Sequence, residues 1–219
     1  MRAPLAAACV LLATMPAFAL WTYGAEPLAV EAVALRSHTW LLRGQGGYQT
    51  VLARGDRSGL LVDLLQPKER HHLLRAAEAR LDGVPLRHLV LTSHRKGTTG
   101  SLGEWPASAQ SVAHRATAAA LRRADRPRPD LEFPGSLTIH LGGLDAGLWH
   151  KGTEHTRGAA MLYLAEDQVL AVGELVTPGR HPEVEPGDGG NLRQWIQVLK
   201  QLVRDFQSNE TLLVVPAQG

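Results

Sequence analysis

Metal-assisted hydrolysis needs three or four nitrogen, oxygen or thiolate donors converging at about 2.0–2.2 Å, with a coordination position left for water and a base beside it. The stretch that concentrates polar groups is Leu89-Val90-Leu91-Thr92-Ser93-His94-Arg95-Lys96-Gly97-Thr98-Thr99-Gly100-Ser101, an apolar, β-rich run feeding a polar loop that closes on glycine. His155 lies further on, in Gly152-Thr153-Glu154-His155-Thr156-Arg157-Gly158, and Glu174 follows the apolar run Val169–Val172. One histidine and one carboxylate are too few for a hydrolytic zinc site. Arg95 adds a guanidinium that cannot deprotonate and offers donors only. Ser93 has no base at a recognisable spacing to make it a nucleophile.

Those residues need a frame, and the order of apolar runs supplies one. Residues 38–42, 49–53 and 59–63 are short β-rich runs separated by Gly44-Gln45-Gly46-Gly47 and Arg54-Gly55-Asp56-Arg57, and they predict a meander of strands. Pro67 opens a helix whose apolar stripe is Leu73, Leu74, Ala77 and Leu81, stopped by Gly83 and Pro85. The polar-loop strand comes directly after it, which makes a βαβ unit ending at that loop. Residues 111–114 predict a strand, 115–124 an alanine-rich helix, and the proline-bearing 125–134 an exposed loop. Runs at 137–141, 148–150, 161–164 and 169–172 alternate with glycine turns and predict one further sheet. Asn191 caps a helix in which Leu192, Trp195, Ile196, Leu199, Leu202, Val203 and Phe206 keep a period near 3.6, and 212–215 is a last strand. Within this frame Trp195 reads as core, and Asp63 at the end of a buried strand as an acceptor for loop amides. His71 and His72 read as helix surface, and His114, His140 and His150 as structural.

Residues 1–19 carry one basic residue, Arg2, an apolar run from Leu5 to Met15, and Ala17-Phe18-Ala19, the small-x-small pattern of a signal-peptidase site. The run is too short for a permanent membrane span. The expectation is a signal peptide over 1–19 and an exported domain over 20–219, periplasmic or secreted. Cys9, the one cysteine, leaves with the signal, so the exported domain has no disulfide or thiol chemistry. Without Arg2 the 23 lysines and arginines become 22 against 21 acidic residues, a balance that implies no nucleic-acid partner.

Taken together, four segments resemble the metallo-β-lactamase fold superfamily. Gly59-Leu60-Leu61-Val62-Asp63 is similar to that family's strand ending in aspartate, and Leu89 to Ser101 is similar to the loop carrying its zinc motif, Thr-His-x-His-x-Asp-His-x-Gly-Gly. Residues 154–158 with 169–175 resemble the later histidine segment and the Gly-Asp-Leu that supplies a bridging carboxylate. Val214-Val215-Pro216-Ala217-Gln218-Gly219 resembles the closing Val-Val-Pro-Gly-His-Gly. Gly179-Arg180-His181-Pro182, followed by Trp195-Ile196, is also similar to exported zinc metallohydrolases associated with quinoprotein dehydrogenases. The resemblance implies an α/β fold, an αββα four-layer sandwich. It also implies that the ligand places at the motif loop hold Ser93, Arg95, Gly97 and Thr98, that the place of the water-orienting aspartate is Gly97, and that Gln218 replaces the last histidine. His155 and Glu174 are the remnants, with Glu174 the longer homologue of the family aspartate. His94 falls at a place that points away from the ligands.

The expectation for function is therefore a degenerate, non-catalytic metallo-β-lactamase-like protein that binds or scaffolds a small molecule or an exported partner, with no cofactor. The alternative is a hydrolase with one zinc on His155, Glu174 and a donor from outside the motifs. In the family fold His155 and Glu174 converge with the side chain at position 95, so an ion pair from Arg95 to Glu174 is expected in place of metal, with His155 and Gln218 hydrogen-bonded around it.

Overall fold

The computed structural model describes residues 30–181 and 183–219; residues 1–29, which include the stretch expected to be a signal peptide, and Pro182 lie outside the described residues. Two sheets face each other. The first has the order β1-β2-β3-β4-β5-β6-β7, with β1 Glu31–Ala34, β2 Thr39–Arg43, β3 Gln49–Arg54, β4 Gly59–Val62, β5 Leu86–Leu91, β6 Gln110–His114 and β7 Leu131–Phe133. The second has the order β12-β11-β10-β9-β8, with β8 Ser136–His140, β9 Asp145–Trp149, β10 Met161–Leu164, β11 Val169–Gly173 and β12 Leu213–Pro216. Helices α1 (Arg70–Leu81) and α3 (Arg115–Arg123) cover the outer face of the first sheet, and α4 (Leu192–Phe206) covers that of the second. The short α2 (Lys96–Thr99) lies in the polar loop after β5. The layers are αββα, as the resemblance implied.

Period-2 alternation explains why the central strands are apolar on both faces. In β4, Leu60 and Val62 enter the core between the sheets while Leu61 packs under α1. In β5, Val90 points between the sheets and Leu89 and Leu91 toward the helices. In β11, Val169 and Ala171 face the first sheet and Leu170 and Val172 face α4, where Trp195, Val198 and Leu202 complete a third apolar cluster. A strand covered on both sides is an unbroken apolar run, and its parallel neighbours require helical crossovers. The parallel pairs β4/β5, β5/β6 and β11/β12 follow that rule. At the start of α4 the Asn191 side chain accepts from the N–H groups of Arg193 (3.0 Å) and Gln194 (3.1 Å), the expected cap.

Two strands depart from expectation. The loop read over 125–134 contains β7, which pairs in parallel with β6 through Val112, Ala113 and His114. The prolines confine the break to the flanks, and Leu131–Phe133 is long enough for a short edge strand. The β1 strand, paired with β2 from Glu31↔Arg43 to Ala34↔Trp40, carries no buried residue and so left no apolar signature. The remaining strands fall within a few residues of their sequence-predicted positions.

Leu61 is fully buried beneath α1 and Val203 on α4 is 66 % exposed. Leu61→Ala should lower stability by about 2–5 kcal/mol, and Val203→Ala by less than about 0.5 kcal/mol, both read from urea midpoints. Equal losses would contradict the packing described here.

Candidate functional site

The site forms where the ends of β4 and β5 meet those of β11 and β12. Asp63 terminates β4 with a positive φ of 63° and turns its carboxylate toward β5. There it accepts from Thr92 twice, from the N–H to Oδ1 at 2.8 Å and from the hydroxyl to Oδ2 at 2.7 Å, the loop-amide role expected of it. Burial pushes its carboxyl up to about 7 against the pull of both Thr92 bonds, and the Glu174 charge adds to the rise. Across the sandwich Ala160 N–H donates to Thr92 O at 2.8 Å. Gly173, at the end of β11 with φ 58°, lies so close to Thr92 that a Cβ there would stand 2.5 Å from Thr92 Oγ1. The glycine lets the second sheet approach the first and delivers Glu174 beside the polar loop.

Glu174 is the hub. Ser93, wholly buried, donates its hydroxyl to Glu174 Oε2 at 3.1 Å and stands 3.0 Å from Thr98 Oγ1. His155 Nε2 lies 3.3 Å from the same Oε2, off the line of a well-formed hydrogen bond. Arg95 reaches the other oxygen, with a terminal nitrogen 3.4 Å from Glu174 Oε1. Burial alone would raise the Glu174 carboxyl, but His155, the Arg95 charge and the Ser93 hydroxyl together hold it below the ordinary glutamate value. The array runs serine, carboxylate, imidazole. Ser93 therefore meets a carboxylate and not an imidazole, and its hydroxyl is shut off from solvent.

Arg95 has two further partners. Its Nε donates to Glu185 Oε1 at 2.9 Å, a terminal nitrogen makes a shorter contact with the same oxygen, and that nitrogen also donates to Glu183 Oε2 at 2.9 Å. Partial burial works against the charge, yet Glu174 and the bonds to Glu185 and Glu183 carry the guanidinium above the ordinary arginine value. The expected ion pair is present as one arm of a three-carboxylate cluster. Gln218 does not join it: its carbonyl oxygen accepts from Arg180 at 3.3 Å, while Tyr48 and Gln218 form an antiparallel bridge that ties β12 to the β2–β3 turn. Tyr48 also occupies the space beside Gly97, where a Cβ would stand 2.0 Å from the tyrosine Cε1. Thr98 turns its hydroxyl back to the Arg95 carbonyl at 3.0 Å. A cleft of about 150 Å³ remains, bordered by Tyr48, Arg95, His155, Glu174, Arg180 and Glu183.

His94 does not stand apart as expected. β5 ends at Leu91, strand alternation stops there, and the bent chain carries the ring inward. Its Nε2 is 3.1 Å from Asp188 Oδ2, and Asp188 also accepts from Arg123 at 3.0 Å. His94, Glu185 and Asp188 bring one ligand atom each within 4.8 Å of one another, a set able to hold a metal ion. Burial lowers the His94 imidazole more strongly than Asp188 and Glu185 raise it, with His155 and Arg126 lowering it further. Glu183, Glu185 and Asp188 were not singled out in the sequence. Their signal is three acids within six residues of a Pro- and Gly-containing segment just before the Asn191 cap. His114 and His150 hold structural posts, and His71 lies exposed on α1. His114 caps α3 by accepting the Ala116 N–H at Nδ1, donates from Nε2 to Pro134 O (3.1 Å) and stacks on His150 at 3.9 Å, and burial followed by the His150 charge brings it down to about 4. Trp195 is core, its indole N–H donating to Leu175 O at 3.0 Å.

No protein-family profile and no curated protein sequence matches the chain. Among solved structures it is similar to a metallo-β-lactamase from Pontibacter korlensis, with a TM-score of 0.75 at 20 % identity over 87 % of this chain and 91 % of that one. It is similar to the metallo-β-lactamase DIM-1, with a TM-score of 0.74 at 14 % identity over 87 % and 90 %, and to VMB-1, with 0.72 at 18 % over 87 % and 90 %. The chain has the metallo-β-lactamase fold.

Glu154 stands behind the site with a buried Oε1 that has no hydrogen-bond partner among the described residues, and burial pushes its carboxyl from 4.5 up to about 8. As pH rises through that window the unfolded chain loses the proton first, so stability should fall from about pH 5 to about pH 8. Glu154→Gln, which cannot titrate, should show a shallower decline and exceed the parent at the alkaline end. Urea midpoints across the range measure it, and an unchanged slope would contradict the assignment.

Proposed function

We propose that this is an exported protein, periplasmic or secreted, in which the cleft of a metallo-β-lactamase fold has no zinc pair and serves binding or scaffolding of a small molecule or an exported partner. The observation that carries the reading is the occupation of the cleft floor by Arg95. A guanidinium held by Glu174, Glu183 and Glu185 puts a fixed positive charge where a second cation would be repelled, and it satisfies the carboxylates a metal would need. The other places the resemblance assigns to ligands supply a buried hydroxyl at Ser93, no side chain at Gly97, a hydroxyl turned to the backbone at Thr98, and an amide at Gln218. A water-orienting carboxylate at position 97 meets Tyr48 before it can be placed. Hydrolysis by a metal-bound water lacks both its donors and its base. Among the described residues no helix is long and apolar enough to cross a membrane.

A second reading keeps hydrolysis at a single zinc. His94, Glu185 and Asp188 favour it over the His155 and Glu174 pair expected from the sequence, because they already converge. Against it, Glu185 is bound to Arg95 and Asp188 to Arg123, so each carboxylate must leave a guanidinium to take a metal.

Metal analysis of protein purified without a histidine tag and dialysed against a mild chelator separates the two. The expected result is zinc far below stoichiometry and no turnover in a hydrolase screen, with Ser93→His and Gly97→Asp restoring neither. Near-stoichiometric zinc lost in His94→Ala would establish the second reading.

A further inference from the structure

Tyr48 separates the cleft from a second cavity, of about 420 Å³, on the other side of the polar loop. Its charged lining is Lys96 and Arg126, and no acidic side chain borders it among the described residues. Neither cation has a carboxylate oxygen within 4 Å among the described residues. This contrasts with Arg95, which collects three carboxylates on the cleft side. Arg126 is fixed in place: one terminal nitrogen donates to His94 O at 2.6 Å and the other to Thr99 Oγ1 at 2.5 Å. Those two bonds leave three of its five N–H donors unassigned. Burial with no compensating acid pulls the guanidinium below its ordinary value, the mark of a cation short of a counter-charge. The rest of the wall is Tyr48, Pro67 and the Gln66 amide, closed by Gly97 and Gly100. A cavity of this size is in the range of about 300–1,000 Å³ typical of small-molecule sites.

We propose that this cavity binds a small organic anion, a carboxylate or a phosphate monoester, with its charge between Lys96 and Arg126 and its body against Tyr48 and Pro67. Two uncompensated cations on one wall select charge sign, and charge-assisted bonds from a guanidinium suit the planar or tetrahedral oxyanion of either group. The aromatic and prolyl surface favours an anion with an organic body over a bare inorganic one. The site does not depend on the zinc-free reading of the cleft, because none of its cations belongs to the Arg95 cluster.

Titration calorimetry on the tag-free chain, with phenyl phosphate, benzoate and inorganic phosphate as separate probes, tests it. The expected result is saturable binding of phenyl phosphate or benzoate that weakens as salt is added, with the tighter of the two naming the oxyanion. Lys96 is exposed, so Lys96→Glu keeps the fold and should weaken binding by about tenfold or more. Arg180→Ala, on the cleft side of Tyr48, should leave it unchanged. Absence of saturable binding by every probe would overturn the proposal, as would equal affinity in Lys96→Glu or loss of binding in Arg180→Ala. Inorganic phosphate binding as tightly as phenyl phosphate would overturn the part assigned to Tyr48 and Pro67.

Discussion

A carboxylate held in a low-dielectric junction between two sheets must have a compensating charge, or the protein gives up either the charge or the junction. Glu174 is in that position, 7 % exposed in its side chain and delivered there by the close approach of Gly173 to Thr92. Arg95 answers it from the opposite sheet. Because the loop after β5 belongs to the first sheet and Glu174 to the second, the contact is a cross-link between them, 79 residues apart in the chain. Glu183 and Glu185 extend the link to the segment before α4, so one guanidinium fastens the two sheets and a covering loop. The Asp188 contacts to His94 and Arg123 fasten the same loop a few residues on.

The frame around this cluster keeps its shape for reasons unconnected with metal. Asp63 holds Thr92 through two hydrogen bonds, Ala160 holds the Thr92 carbonyl, and Gln49 N–H donates to Ala217 O at 2.9 Å to tie β12 to the first sheet. These bonds join backbone groups and the short side chains of Asp63 and Thr92, and none involves a side chain at positions 93, 95, 97 or 98. The fold can therefore persist while the chemistry of its strand ends changes, and likeness to metallo-β-lactamase structures at 14–20 % identity speaks to the fold alone.

What the sequence revealed divides along the range of the interactions involved. Strands β4, β5 and β11 and the stripe of α4 were legible because burial on a strand or helix face repeats locally. Strands β1 and β7 were not, since β1 buries no residue and β7 is three residues with only Phe133 buried, so each exists through its pairing and is too faint or too short to show a period. The Arg95 to Glu174 contact could be anticipated because the resemblance placed both positions at one point. Glu183 and Glu185 could not, as their meeting with Arg95 spans 88 and 90 residues and depends on the path of a loop. His94 was misplaced for a related reason: alternation fixes side-chain direction only while the strand continues, and β5 stops at Leu91.

Whether Arg95 holds the two sheets together through Glu174 is tested most directly by a double-mutant cycle of the two residues in thermal or urea unfolding. Arg95→Ala alone strands the carboxylate and should destabilise by about 1–3 kcal/mol, less than the about 3–5 kcal/mol of a fully buried pair because the Arg95 side chain is 21 % exposed. Adding Glu174→Gln should then restore part of that loss, because the uncompensated charge is gone. Losses that simply add, or an Arg95→Ala variant that melts with the parent, would contradict the account.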